Sequence, residues 1–164
     1  MAWLLDTNVF VNAKRDHYGF EFCPGFWEWL DLANAAGTVA SVRAVYDELV
    51  DYGDQLSEWA KERTGFFLPV TAGDVAAVET VNRWAIDSAD YDAAAKNEVS
   101  AAADSFLLAQ ALAAGHTVVT HEVIKDTRKK IQIPNAAAAL GVSCCLPWHM
   151  LRVERPQLVL GIGA

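Results

Sequence analysis

The chain has 164 residues, of which 53% are hydrophobic, and a formal net charge of −8. This length and composition allow one globular domain with a sizeable core and exclude a disordered chain. The acidic balance excludes a protein that coats nucleic acid with a wholesale positive surface, and the longest apolar stretches are too short to span a bilayer.

In chain order, "AWLL" predicts a short buried strand ending at Asp6, and "TNVFVNAK" starts a helix. "RDHYGFEFCPG" reads as a loop, and "GFWEWLDLANAAG" as an amphipathic helix stopped at Gly37. "TVASV" is a second strand. Val42, Val45, Tyr46, Leu49 and Val50 then follow helical spacing until Gly53. "DQLSEWAKER" is another helix and "GFFLPV" a brief strand. "AGDVAAVETVNRWAIDS" is helical, with Val75, Val78, Val81 and Ala85 on one side. "DAAAKNEVSAA" is a weaker helix, and "AADSFLLAQALAAG" is the strongest one, closed by Gly115. "HTVVT" is a strand, "KIQIP" is extended, and "NAAAALG" is a short helix. "VSCCL" is the last strand, and "PWHMLRVE" is a helix opened by proline.

Short apolar strands alternating with helices predict one α/β domain over residues 1–164 with a mainly parallel sheet, its tail loose from about residue 156. No basic segment precedes a hydrophobic signal core, so a cytoplasmic protein is expected. Cys23, Cys144 and Cys145 form no disulfide framework and read as small core hydrophobes in a reducing compartment.

In parallel α/β sheets, ligands bind beyond the carboxyl ends of the strands. Asp6 and Glu122 both follow predicted strands. Taken singly, Asp6 is explained as a helix N-cap and Glu122 as a loop residue. Asp104 stands at the top of the apolar stripe formed by Leu107, Leu108, Ala111 and Leu112, where cap and site explain it equally. Asp47 and Glu48 flank their own helix's stripe alike, and periodicity does not choose between them. Acids converging at one sheet edge would repel one another, and a divalent cation relieves that repulsion. An all-oxygen set suits magnesium or manganese and phosphoryl chemistry. "HEVIK" lacks the second histidine of a zinc protease helix, because Lys125 stands in its place. The basic run "KDTRKK" supplies Lys125, Arg128, Lys129 and Lys130, which read either as a solvated loop or as a local contact for phosphates.

"LLDTNVF", "VYDEL", "AADSFLLAQAL" and "VVTHE" together resemble the PIN-domain nucleases, in order and over nearly the whole chain. "YGFEFCPGFWEWL" and "KIQIP" bring the likeness closest to a VapC-like bacterial toxin subfamily. The resemblance implies a three-layer α/β/α sandwich with about five strands in the order 3-2-1-4-5. It also implies one or two Mg2+ or Mn2+ ions held by Asp6, Glu48, Asp104 and Glu122, with Asn8 and Thr120 orienting the ligands. Here Glu48 is preferred to Asp47 by the resemblance alone. The family often has Asp where Glu122 stands, and an aspartate is expected where Asn135 follows "IP".

The function expected is therefore a metal-dependent endoribonuclease, the toxin of a toxin–antitoxin pair. Its partners would be RNA, an antitoxin and a second copy of the chain, with no membrane. Phe26, Trp27 and Trp29 are assigned to core packing in preference to partner contacts. The rival readings are a catalytically weak PIN-fold binding module, motivated by Asn135 and the net charge of −8, and a receiver- or phosphatase-type protein. The last is disfavoured because "DTN" lacks the second aspartate of a D-x-D motif.

Overall fold

In the computed structural model, which describes residues 1–158 and all their side chains except those of Ser100 and Ala101, the first apolar run forms β1 (Trp3–Leu5). It lies at the centre of a five-stranded, all-parallel sheet with the order β3-β2-β1-β4-β5. The other strands are β2 (Val39–Val42), β3 (Phe67–Leu68), β4 (Thr117–Val119) and β5 (Ser143–Cys145). Leu4 pairs with Ala40 on one side and with Val118 on the other. Leu4, Leu5, Val39, Val118 and Val119 are fully buried. A parallel strand covered on both faces has no polar side to alternate with, hence the largely apolar runs; the buried Ser41 of β2 donates its hydroxyl to Leu5 O at 2.6 Å. The expected α/β class and strand order are those observed, in a three-layer sandwich. Of the tail expected to be loose, residues 159–164 lie outside the described residues.

The helices are α1 (Thr7–Asn12), α2 (Pro24–Ala35), α3 (Arg43–Asp51), α4 (Gln55–Lys61), α5 (Ala72–Asp87), α6 (Ala93–Ala101), α7 (Ala103–Ala114), α8 (Ile133–Leu140) and α9 (Pro147–Glu154). α7 packs on β2 and β4 and against α3, α5 and α8. Its Leu107 and Leu108 are fully buried, each contributing about 1.5–3 kcal/mol. Gly115 ends it in the left-handed region, at φ 67°, where a side chain would strain the turn.

Several local expectations are corrected. Residues Ala13–His17, read as helix end and loop, form a π-helix. A 3-10 turn at Thr64–Phe66 takes Gly65 and Phe66 of "GFFLPV" and leaves β3 only two residues. Ile133 and Pro134, read as extended, open α8, and proline's fixed φ suits a first turn. On α5 the inward residues are Ala77, Val81 and Ala85, while Val75 is exposed. Small side chains on that face permit close packing on α7. Phe26 and Trp27 are buried and Trp29 packs against the core, as expected of core aromatics. The cysteines are free and partly buried; burial, reinforced by Cys145, pushes the Cys144 thiol up to about 12, which makes it a poor nucleophile.

α4 owes its start to Asp54. Its Oδ1 accepts from the N–H groups of Leu56 (2.9 Å) and Ser57 (3.1 Å), and the Ser57 hydroxyl accepts from Asp54 N–H. Lys14 also donates to its Oδ2 at 2.5 Å. Asp54→Ala is expected to lower stability by about 1–2 kcal/mol in urea denaturation, since a lost cap leaves helix donors unpaired. An unchanged midpoint would show that water replaces the cap at no cost.

Candidate acidic site at the carboxyl edge of the sheet

The carboxyl ends of the neighbouring strands β1 and β4 deliver Asp6 and Thr120 side by side, and both are buried. Asp6 occupies the N-cap position of α1, yet its side chain makes no capping bond. Its Oδ2 instead accepts from the Thr120 hydroxyl at 2.8 Å and from Asn8 Nδ2. Asn8 Nδ2 also donates to Thr120 Oγ1 (2.9 Å), and Asn8 Oδ1 accepts from His121 N–H (2.9 Å). Thr120 Oγ1 accepts in addition from Glu122 N–H at 3.1 Å. One donated and two accepted bonds use the full capacity of that hydroxyl. Asn8 and Thr120 thus clamp the two strand ends together and fix the Asp6 carboxylate between them.

Glu48 and Asp47, which periodicity leaves equivalent, have different environments. Asp47 faces outward to Arg43 Nε at 3.1 Å. Glu48 stands at the rim of the cleft and accepts from the Thr7 hydroxyl. Asp104 lies in the first turn of α7 but is not its cap, a position held by Ala102. Among the described residues no donor bonds its carboxylate and no cation pairs with it within 4.0 Å. Glu122 is fully engaged: Oε1 pairs with Lys130 Nζ at 2.7 Å, and Oε2 accepts from Ile133 N–H at 2.7 Å. It ties the basic segment and the start of α8 to the end of β4.

Asp6, Glu48, Asp104 and Glu122 line one open cleft, together with Asn12, Tyr52 and Lys130. Burial, with the charge of Asp104 added, pushes the Asp6 carboxyl up to about 7, against the Thr120 hydroxyl bond that favours ionisation. Burial and then Glu122 push Asp104 up to about 6, while Lys130 opposes them. Two acids held near neutrality in a cleft are short of positive charge.

The donor chemistry fits a hard divalent cation, since it is all oxygen and includes one carboxylate with no hydrogen-bond partner. As the side chains stand, however, no group of three or more His, Cys, Asp or Glu among the described residues gathers closely enough to hold a metal ion. The four acids share a cleft without closing on one point, and both oxygens of Glu122 are already engaged.

The basic run is divided. Lys130 belongs to the cleft through Glu122. Arg128 donates to Ala89 O at 3.2 Å and lies 3.5 Å from Asp92. Lys125 and Lys129 are exposed and form no ion pair among the described residues. Asn135 accepts from Lys125 N–H and donates to Lys125 O, both at 3.1 Å. A carboxylate there could not donate, so the amide serves to pin the loop. Sequence reasoning missed this clamp and the Glu122–Lys130 pair, because each joins positions across an irregular loop that leaves no periodicity.

No helix among the described residues is long and apolar enough to cross a membrane. The family model described as "Domain of unknown function (DUF4411)" matches residues 3–158. No curated protein and no solved structure matches the chain.

Proposed function

We propose that this chain, which belongs to the DUF4411 family, is a Mg2+- or Mn2+-dependent endoribonuclease of PIN-like type and acts as the toxin of a toxin–antitoxin pair in the cytoplasm. The observation that carries the reading is the pair Asp6 and Asp104 at the carboxyl edge of the sheet, pushed up to about 7 and about 6 by burial first, and then by Asp104 acting on Asp6 and Glu122 acting on Asp104. Such a pair gains most from a cation that also neutralises a phosphodiester. Asp6 and Asp104 would hold the ion with Glu48 from the rim, and Glu122 would support them.

When bound, a divalent cation supplies charge neutralisation at the phosphate and a more acidic water. The chain's own residues do the rest. Asn8 and Thr120 fix the Asp6 carboxylate, so that little reorganisation is needed when charge develops. Glu122 holds Lys130 beside the cleft, and the exposed Lys125 and Lys129 would meet RNA phosphates in this reading. An antitoxin and a second copy of the chain are the partners of this reading.

A catalytically silent binding module is the second reading. It is favoured by the Lys130 ammonium in the cleft and by carboxylates that do not close on one point. Incubating the protein with mixed RNA, with and without Mn2+, beside Asp6→Asn separates the two. The nuclease predicts Mn2+-dependent cleavage that falls about 10²–10³-fold in the variant. Equal cleavage by both proteins sinks it. Calorimetric Mn2+ binding without cleavage would support the binding module.

A further inference from the structure

We propose that the cavity walled by His17, Tyr18, His121 and Trp148 is a nucleobase subsite that seats one pyrimidine base beside the acidic cleft. The inference rests on the nuclease reading of that cleft and adds the part of the substrate that the acids do not touch.

The cavity has about 150 Å³ of room, with Val9 and Met150 among its buried lining. A cavity of about that size accommodates one benzene-sized ring. A single-ring base therefore fits better than a purine. The walls present aromatic faces. His17 and His121 have ring centroids 5.7 Å apart, and His121 and Trp148 are 6.1 Å apart. Tyr18 is held by Phe26, which also lines the cavity, stacked at 4.3 Å and 13°. Single-stranded RNA is held in this way, by stacking of unpaired bases on aromatic and histidine rings.

The walls also carry unspent polarity. Among the described residues, no side-chain hydrogen bond uses the His17 or His121 imidazole, the Tyr18 hydroxyl or the Trp148 indole N–H. The edge of a base offers donors and acceptors to these groups, which a purely apolar occupant does not.

Position joins the cavity to the acids. Val9 follows Asn8, and His121 stands between Thr120 and Glu122. The bond from His121 N–H to Asn8 Oδ1 joins a residue of the cavity wall to one that lines the cleft. A base in the cavity thus leaves its sugar and phosphate within reach of the Asp6 side of the cleft. The π-helix at Ala13–His17 independently marks the place. Tyr18 N–H reaches back five residues to Ala13 O at 2.6 Å, and this extra residue in the turn carries His17 round to the cavity. Such insertions cost helix regularity and recur at functional sites.

The experiment is a titration of the metal-free protein with each of the four ribonucleoside 5′-monophosphates, followed by the imidazole proton NMR signals of His17 and His121. These are assigned with His17→Ala and His121→Gln. Cytidine or uridine monophosphate is expected to shift both signals, with the purine nucleotides weaker. His17→Ala, at an exposed position and with an unchanged melting temperature, is expected to weaken binding about tenfold, within the range of one lost stacking contact. Absence of shifts with all four nucleotides overturns the proposal, as does undiminished affinity in His17→Ala or equal binding of purines. Shifts produced by a tryptophan-containing peptide but by no nucleotide would overturn it in favour of a protein partner's side chain. No Mn2+ is present and cleavage is not read, so this result stands or falls separately from the Asp6→Asn test.

Discussion

The metal-free protein is expected to lose stability as pH rises from about 4 to about 7, and Asp6→Asn is expected to restore most of that loss at pH 8. Asp6 has an ordinary carboxyl value of 3.8 in the unfolded chain and about 7 in the fold; Asp104 rises from 3.8 to about 6. Between these limits the folded protein holds protons that the unfolded chain has released. Unfolding therefore becomes easier with every increment of pH across that window. Below about 4 both states are protonated and nothing is lost, and above about 7 the penalty is complete. The gap at Asp6 corresponds to about 4 kcal/mol. An asparagine at position 6 keeps an oxygen to accept from Asn8 and Thr120, so the variant sheds the charge without shedding the clamp. Urea denaturation in EDTA at pH 4 to 9, on both proteins, checks this. Parallel profiles would show that Asp6 ionises freely. Mn2+ should stabilise the wild type more at pH 8 than at pH 5, and the variant little at either, because bound cations favour the ionised carboxylates.

Phe10→Ala is expected to cost about 3–5 kcal/mol, the range for emptying a buried aromatic position. Phe10 is fully buried, with ring centroids of Trp59, Phe66 and Phe67 at 5.7, 5.8 and 6.1 Å. These neighbours come from α4, the 3-10 turn and β3, so one ring joins three elements. Rings that hold one another at tilted angles cannot all move inward to fill the space. Phe10 also lies on α1, two residues beyond Asn8, so looseness there passes directly to the clamp. Guanidinium denaturation reads the energetic cost, and Mn2+ titration of the folded variant reads the slackened site. A cost below about 1 kcal/mol would mean that the cluster collapses around the cavity, contrary to its expected rigidity.

The order of elements was legible because the central strands are mostly apolar and β1 and β2 lead directly into helical periods. The π-helix was not. The same residues continue an α-helix equally well, and the five-residue bond is selected by where Tyr18 stacks on Phe26. The inward face of α5 misled in a related way. Hydrophobicity favours Val75, but close approach to α7 selects Ala77. At the site, strand and helix ends point to Asp6 and Asp104 with a cap reading beside each, and in the fold neither side chain caps its helix. Periodicity leaves Glu48 and Asp47 equivalent and the resemblance alone prefers Glu48; in the fold Asp47 pairs with Arg43 one turn back on its own helix, whereas the bond of Glu48 to Thr7 crosses to α1, a contact that no single helix encodes. The engagement of Glu122 with Lys130 depends on the path of an irregular loop.

The central place of β1 sets an order in time during synthesis. Thr120 follows Asp6 by 114 residues, roughly 6–23 s of translation at ordinary rates. In the later part of that interval, after β3 has been made and before β4, the nascent chain holds the strands of a half-sheet, β3, β2 and β1, whose open edge is one of the most apolar strands in the chain. Such an edge invites pairing with other nascent chains, and makes this interval the one in which a chaperone is most needed. It also means that Asp6 waits without Thr120 beside it until β4 has emerged, so the acidic cleft is among the last parts of the molecule to be assembled.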